Sequence, residues 1–161
     1  MTEFEKNPHR TRLERLVSMM SIRTGPLEVP SRGDPGLTSG HWAAMMSGFP
    51  GDSETALCYV MVLAGEPHHR KPLINRLMYF LAPRVLMGLP NLSISGTDLR
   101  DVVAVTVDAE RHGGSVTLAD AARSGIKRKR WERLRPVHQM TVDALDDVAD
   151  QVVRHLSRAC S

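Results

Sequence analysis

At 161 residues, 42% hydrophobic and a formal net charge of +3, the chain can build one well-buried core, or a small helical body carrying a short recognition module. Only seven residues are Phe, Trp or Tyr, so the core must come from Leu, Val, Met and Ala, which suits packed helices better than a sandwich. No window approaches eighteen consecutive apolar residues, Cys58 and Cys160 are too far apart in sequence to suggest a disulfide framework, and the opening MTEFEKNPHRTR is too charged for a signal peptide; these features exclude membrane-spanning and disulfide-stapled classes and point to a reducing bacterial cytoplasm.

From Arg10 to Ile22, Leu13, Leu16, Val17, Met20 and Ile22 recur mostly at helical steps between basic residues, which predicts an amphipathic helix. Residues 23–40 hold three prolines and four glycines and read as a surface loop and candidate contact arm. A short helix is expected over His41–Ser47. Asp52 or Ser53 then caps a helix to about Ala64, stopped by Gly65. Its run from Ala56 to Ala64 is apolar on every face, which marks it as a central buried helix with Cys58 as a small hydrophobe.

Pro67 and Pro72 bracket His68, His69, Arg70 and Lys71. Adjacent histidines on a helix point about 100° apart and no further ligand falls three or four residues on, so this reads as an exposed cationic patch rather than a metal site. Leu73, Ile74, Leu77, Met78 and Leu81 mark a helix expected to break at Pro83. Thr97 is the expected N-cap of a helix over Asp98–His112, terminated by Gly113 and Gly114. The VVAVTV run within it favours a strand locally, but a capped length of some fifteen residues favours helix.

The most informative stretch is VTLADAARSGIKRKRWERLR, residues 116–135. Thr117 and Asp120 have capping-box spacing. Ala121 is small where a second helix would cross, Gly125 suits a tight turn, and Ile126, Trp131 and Leu134 share the inner face of the helix that follows. Six of the nine residues from Lys127 to Arg135 are basic, more like charge than a helix tolerates without loss at i,i+4 spacing. The pattern is a helix-turn-helix whose second helix reads the major groove of double-stranded DNA. Lys127, Arg128, Lys129, Glu132 and Arg133 face bases or phosphates, and Arg130, Arg135 and the cap residue Thr117 complete the expected contact set. Pro136 is expected to end or kink that helix. A last helix follows over Val137–Arg158, with Asp143, Asp146, Asp147 and Asp150 on its polar side, turned away from phosphate.

The expected architecture is therefore all-α, a small helical bundle with a C-terminal helix-turn-helix. Residues 1–95 form a helical body containing the Pro/Gly-rich loop at 23–40, and residues 96–161 form the DNA-binding region with its C-terminal helix. No nucleophile–base pair, glycine-rich phosphate loop or HExxH motif is present, so the chain reads as a binder rather than an enzyme, with no cofactor and no metal. A helical enzyme would have to draw on scattered residues such as His41, Asp52, Glu54 and His112.

The segment TLADAARSGIKRKRWERLRP, with its Ser124-Gly125-Ile126 turn, resembles the Q-type transcription antiterminators of lambdoid phages, in particular the phage 21 class and the AlpA-like regulators of pseudomonads. The resemblance implies binding to a DNA element near a promoter and engagement of RNA polymerase paused with its σ factor. It further implies that the protein remains near the RNA exit channel, so that terminator hairpins fail to form. Lys127 to Arg133 would then carry the DNA contacts, and the other helices and the loop would face polymerase. The cysteine-based zinc motif of the lambda branch is missing here, which sets that branch aside. The alternative is a conventional helix-turn-helix activator or repressor that stops at DNA binding, and a homodimer on DNA is left open.

Overall fold

The computed structural model describes residues 13–15, 44–112 and 115–159, and among them every regular element is helical. They are α1 (Ser53–Leu63), a 3-10 turn (Pro67–His69), α2 (Arg70–Gly88), α3 (Gly96–Glu110), α4 (Leu118–Arg123) and α5 (Arg128–Ala159). The chain divides into two compact units, residues 1–67 with 146–161, and residues 68–145. The boundary expected at 95/96 falls inside the second unit.

In the first unit, Asp52 caps α1 by accepting from the Thr55 N–H at 3.1 Å and the Thr55 hydroxyl at 2.6 Å. The helix buries Ala56, Cys58, Tyr59, Val60, Met61 and Val62, on all sides, as a run without polar interruption requires. Burial, with Asp52 nearby, pushes the Cys58 thiol up, so it stays protonated and inert. Gly65, at φ 92°, lets the Glu66 N–H reach back to the Met61 carbonyl and its own N–H to Val62, closing the helix. The C-terminal part of α5 supplies Ala149, Val152, Val153 and Leu156 to this unit's core. There the His155 Nε2–H donates to the Met45 carbonyl at 3.0 Å and the ring meets Phe49 edge-on. Residues 13–15 are helical with Leu13 fully buried; the rest of the helix expected over Arg10–Ile22, and the loop at 23–40, lie outside the described residues. Of the segment His41–Ser47, residues 44 and 45 are helical and a turn follows at 46–48, while 41–43 are likewise outside them.

The second unit packs α2 against α3. The break expected at Pro83 and, of the end or kink expected at Pro136, the end are corrected here. Pro83 does not end α2, which runs on to Gly88, and Pro136 lies inside a continuous 32-residue α5. The reason is the same in each case. A helical proline removes one N–H and leaves the carbonyl four residues earlier without its donor, a cost of about 3 kcal/mol. Both prolines are exposed, so neither interrupts a buried row. Meanwhile the buried rows Leu77–Leu81–Val85 and Trp131–Leu134–Val137–Thr141 continue past them on the opposite side.

The cap of α3 is also corrected. Ser95 rather than Thr97 caps it, accepting from the Asp98 N–H at 3.1 Å while Asp98 accepts from the Ser95 N–H at 3.2 Å. The VVAVTV run is helical, because Leu99, Val102, Val103, Thr106 and Glu110 bury one continuous face that a capping box starts in register. The helix closes at Arg111–His112; the stop expected at Gly113–Gly114 is outside the described residues.

Candidate nucleic-acid interface

Thr117 and Asp120 form the expected capping box at the start of α4. The Thr117 hydroxyl accepts from the Asp120 N–H at 3.1 Å, and the carboxylate accepts from the Thr117 N–H at 2.9 Å. The cap hydrogen bonds hold the Asp120 carboxyl below its ordinary range, with Arg123 assisting as an ion-pair partner. At the other end Gly125 takes φ 84°, the Ile126 N–H returns to the Ala121 carbonyl at 2.9 Å, and the Gly125 N–H to Ala122 at 3.0 Å. This back-bonded turn requires a left-handed residue one position before an inward apolar one. A Cβ on Gly125 would meet nothing within 4 Å, so the glycine is there for its φ and not for space. Ala121 and Ile126 close over the turn, both almost fully buried.

The Trp131 N–H to the Lys127 carbonyl, at 2.8 Å, starts α5. Trp131, Leu134 and Val137 are buried in one row, and Trp131 is packed by the His138 ring at 5.0 Å between centroids. Thr106 gives its hydroxyl proton to the Val102 carbonyl at 2.7 Å, so its oxygen accepts from His138 Nδ1–H at 2.8 Å. Burial, with Arg135 adding repulsion, lowers the His138 pKa to about 4, and the ring is neutral at physiological pH.

The basic run is split by the helix it lies on. Lys127, Arg128, Lys129, Glu132 and Arg135 are exposed. Arg128 and Glu132 pair one turn apart at 3.2 Å, with 76% of the Arg128 side chain open to solvent. Arg130 turns the other way. Its Nε donates to Asp98 at 2.8 Å and a terminal nitrogen to Asp101 at 2.8 Å, and only 27% of its side chain remains exposed. Arg133 reaches the same carboxylate at 3.4 Å and the Ser93 carbonyl at 3.4 Å, from a half-exposed position. Burial alone would raise the Asp98 pKa, but the Ser95 N–H and Arg130 outweigh it and hold this carboxyl low; the Asp101 and Asp98 hydrogen bonds push the Arg130 guanidinium up.

Arg130 therefore stands apart from the contact set expected for it. It joins α5 to α3, and Thr117 spends its hydroxyl on the cap of α4. Sequence reasoning missed Asp98 and Asp101 as its partners, although the Ser95-Gly96-Thr97-Asp98 spacing, a serine three residues before an acid ahead of an apolar run, marks the true cap. Among the described residues no group of three or more His, Cys, Asp or Glu is placed to hold a metal, and no helix is long and apolar enough to cross a membrane. The paired His68 and His69 lie in the 3-10 turn ahead of α2.

Comparison with protein-family models, with curated proteins and with solved structures finds no match to this chain.

Proposed function

We propose that this protein is a DNA-binding regulator of transcription in which α4, the Gly125 turn and the first three turns of α5 act as a helix-turn-helix, with α5 entering the major groove. The observation that carries this reading is the division of one cationic helix into two jobs. Ile126, Trp131 and Leu134 seal its inner row, and Lys127, Arg128, Lys129 and Glu132 remain on the sides that a groove would receive, with Arg133 half-exposed beside them and held by Asp98 and Ser93. An arginine at 128 suits a guanine edge or a phosphate, and exchanging Glu132 for DNA would cost little because an exposed i,i+4 pair is worth only about 0.3–0.5 kcal/mol. Arg130 serves as the brace that sets the angle of α5 on α3.

The resemblance to Q-type antiterminators supports a narrower form of the proposal, in which the bound protein engages promoter-paused RNA polymerase with its σ factor and lets it read through terminators. Binding to duplex DNA with a steep salt dependence, lost on replacing Arg128 and Lys129 by Ala, tests the general form. Run-off transcription through a terminator tests the narrow one: added readthrough supports it, and more initiation without readthrough selects a conventional activator instead.

A further inference from the structure

The five large hydrophobic side chains exposed among the described residues are not scattered. Leu118 stands alone, and the other four share α2: Tyr79 at 87% exposure, Met87 at 84%, Leu86 at 70% and Phe80 at 42%. This helix buries Leu73, Ile74, Leu77, Leu81 and Val85 on its inner side. At 100° per residue Tyr79, Pro83, Leu86 and Met87 fall on the opposite side with Phe80 at its edge, where Arg84 lies over the ring at 3.4 Å and donates to the Phe80 carbonyl. A helix apolar on both faces, with one of them bare, is the signature of an interaction surface.

We propose that this face of α2 seats the α2 of a second copy of the chain, antiparallel, with the twofold axis beside Pro83. The register argues for it. Tyr79 and Phe80 precede Pro83 by four and three residues, and Met87 and Leu86 follow it by the same distances. A dyad there sets Tyr79 against the partner copy's 87 position and Phe80 against its 86 position, aromatic on aliphatic at every contact, including a ring with a pliable thioether. Arg84 then opposes the small Ala82, and Arg76 falls beyond the helix end near position 90. A parallel pairing would instead set each of these residues against its own copy and lose the aromatic-on-aliphatic match. The area fits a weak dimer. With side chains of this size presenting on the order of 150–200 Å² each, the four exposures amount to about 500 Å² per copy, so a pair buries up to about 1,000 Å², the size of a weak, reversible interface. The pairing is independent of DNA binding, so each can fail without the other.

The test is sedimentation equilibrium of the full chain without DNA. The wild type should pass from 17.9 kDa toward twice that mass over the micromolar range. Tyr79→Asp and Met87→Lys should each weaken the pairing by at least about tenfold with unchanged helical circular dichroism, since each puts a charge in the centre of an apolar contact. An equimolar mixture of the two should recover the dimer mass, because the new aspartate and lysine then face each other. Leu118→Asp, off the patch, should leave it intact. A wild type that stays monomeric throughout, a dimer indifferent to both substitutions, or a mixture that does not re-associate would each overturn the proposal, the first two pointing to a different partner or a different face.

Discussion

Replacing Arg128 and Arg130 separately by Ala should divide stability from DNA binding, although the two residues are neighbours in one basic run. Arg130 makes charge-assisted hydrogen bonds to Asp98 and Asp101 at 2.8 Å, with about a quarter of its side chain exposed. Bonds of this kind contribute about 1.5–3 kcal/mol; discounting for solvent, and for an Asp98 that keeps the Ser95 N–H and the longer Arg133 bond, places the loss at about 2 kcal/mol. For a chain of this length that lowers Tm by roughly 4–8 °C. Arg128 has only an exposed partner, so its removal should move stability by no more than about 0.5 kcal/mol. It should weaken duplex binding by about 1–3 kcal/mol and lower the salt slope of log K by about 0.9, the value for one phosphate that is no longer neutralised. Thermal melts and fluorescence anisotropy across a salt series, both well below Tm, measure the two effects independently. A stable Arg130→Ala protein with a flattened salt slope, or an Arg128→Ala protein that melts early and binds normally, would refute the division.

Gly125→Ala forces an L side chain into the left-handed region and should destabilise by about 1–2 kcal/mol in urea titration, whereas Gly88→Ala, in open space within a helix end, should be neutral or mildly stabilising. His138 has a folded pKa of about 4 against an ordinary value of 6.5, so the unfolded chain takes up the proton first. Its contribution is complete above pH 6.5 and is lost as pH falls toward 4, by about 3 kcal/mol in all. His138→Gln, which keeps a donor for Thr106, should flatten stability over that window, and an unchanged acid slope would show that the ring is not the group responsible. Trp131→Ala removes the buried ring at the inner row and should cost about 3–5 kcal/mol by chemical denaturation, with DNA binding reduced only in proportion to unfolding.

The cap and stop of α1, the helical rows along both parts of α5, the capping box at Thr117 and the turn at Gly125 were all legible in the sequence, because each depends on a local pattern of residues. The two prolines misled for a physical reason. The sequence shows the missing N–H but not which side of the helix it lies on, and tertiary packing of the opposite row decided both cases. The cap of α3 was misplaced by two residues because Thr97 and Ser95 are both good caps, and only the reciprocal bond from Asp98 distinguishes them. Charge was the least legible property. Six bases in nine residues look like one surface, yet the partners that withdraw Arg130 and Arg133 stand some thirty residues earlier, on another helix.

That withdrawal explains which basic residue stands where. Asp98 closes the cap of α3 through Ser95 and receives Arg130 on its other oxygen, while Asp101, nearly one turn further along α3, receives the second arm of the same guanidinium. A planar fork can span two carboxylates on adjacent turns; an ammonium group, a single point of charge, would have to choose between them. Arginine at 130 is thus a geometric requirement of the α3–α5 joint, and lysine there should keep the charge and lose the bridge. Lys127 and Lys129 take part in no ion pair among the described residues, and in the proposed complex with DNA they would need only a flexible positive end to meet a phosphate. The same run of charge therefore has two unequal parts: Arg130, with Arg133 beside it, is tied to α3, and Lys127, Arg128, Lys129 and Arg135 stay exposed.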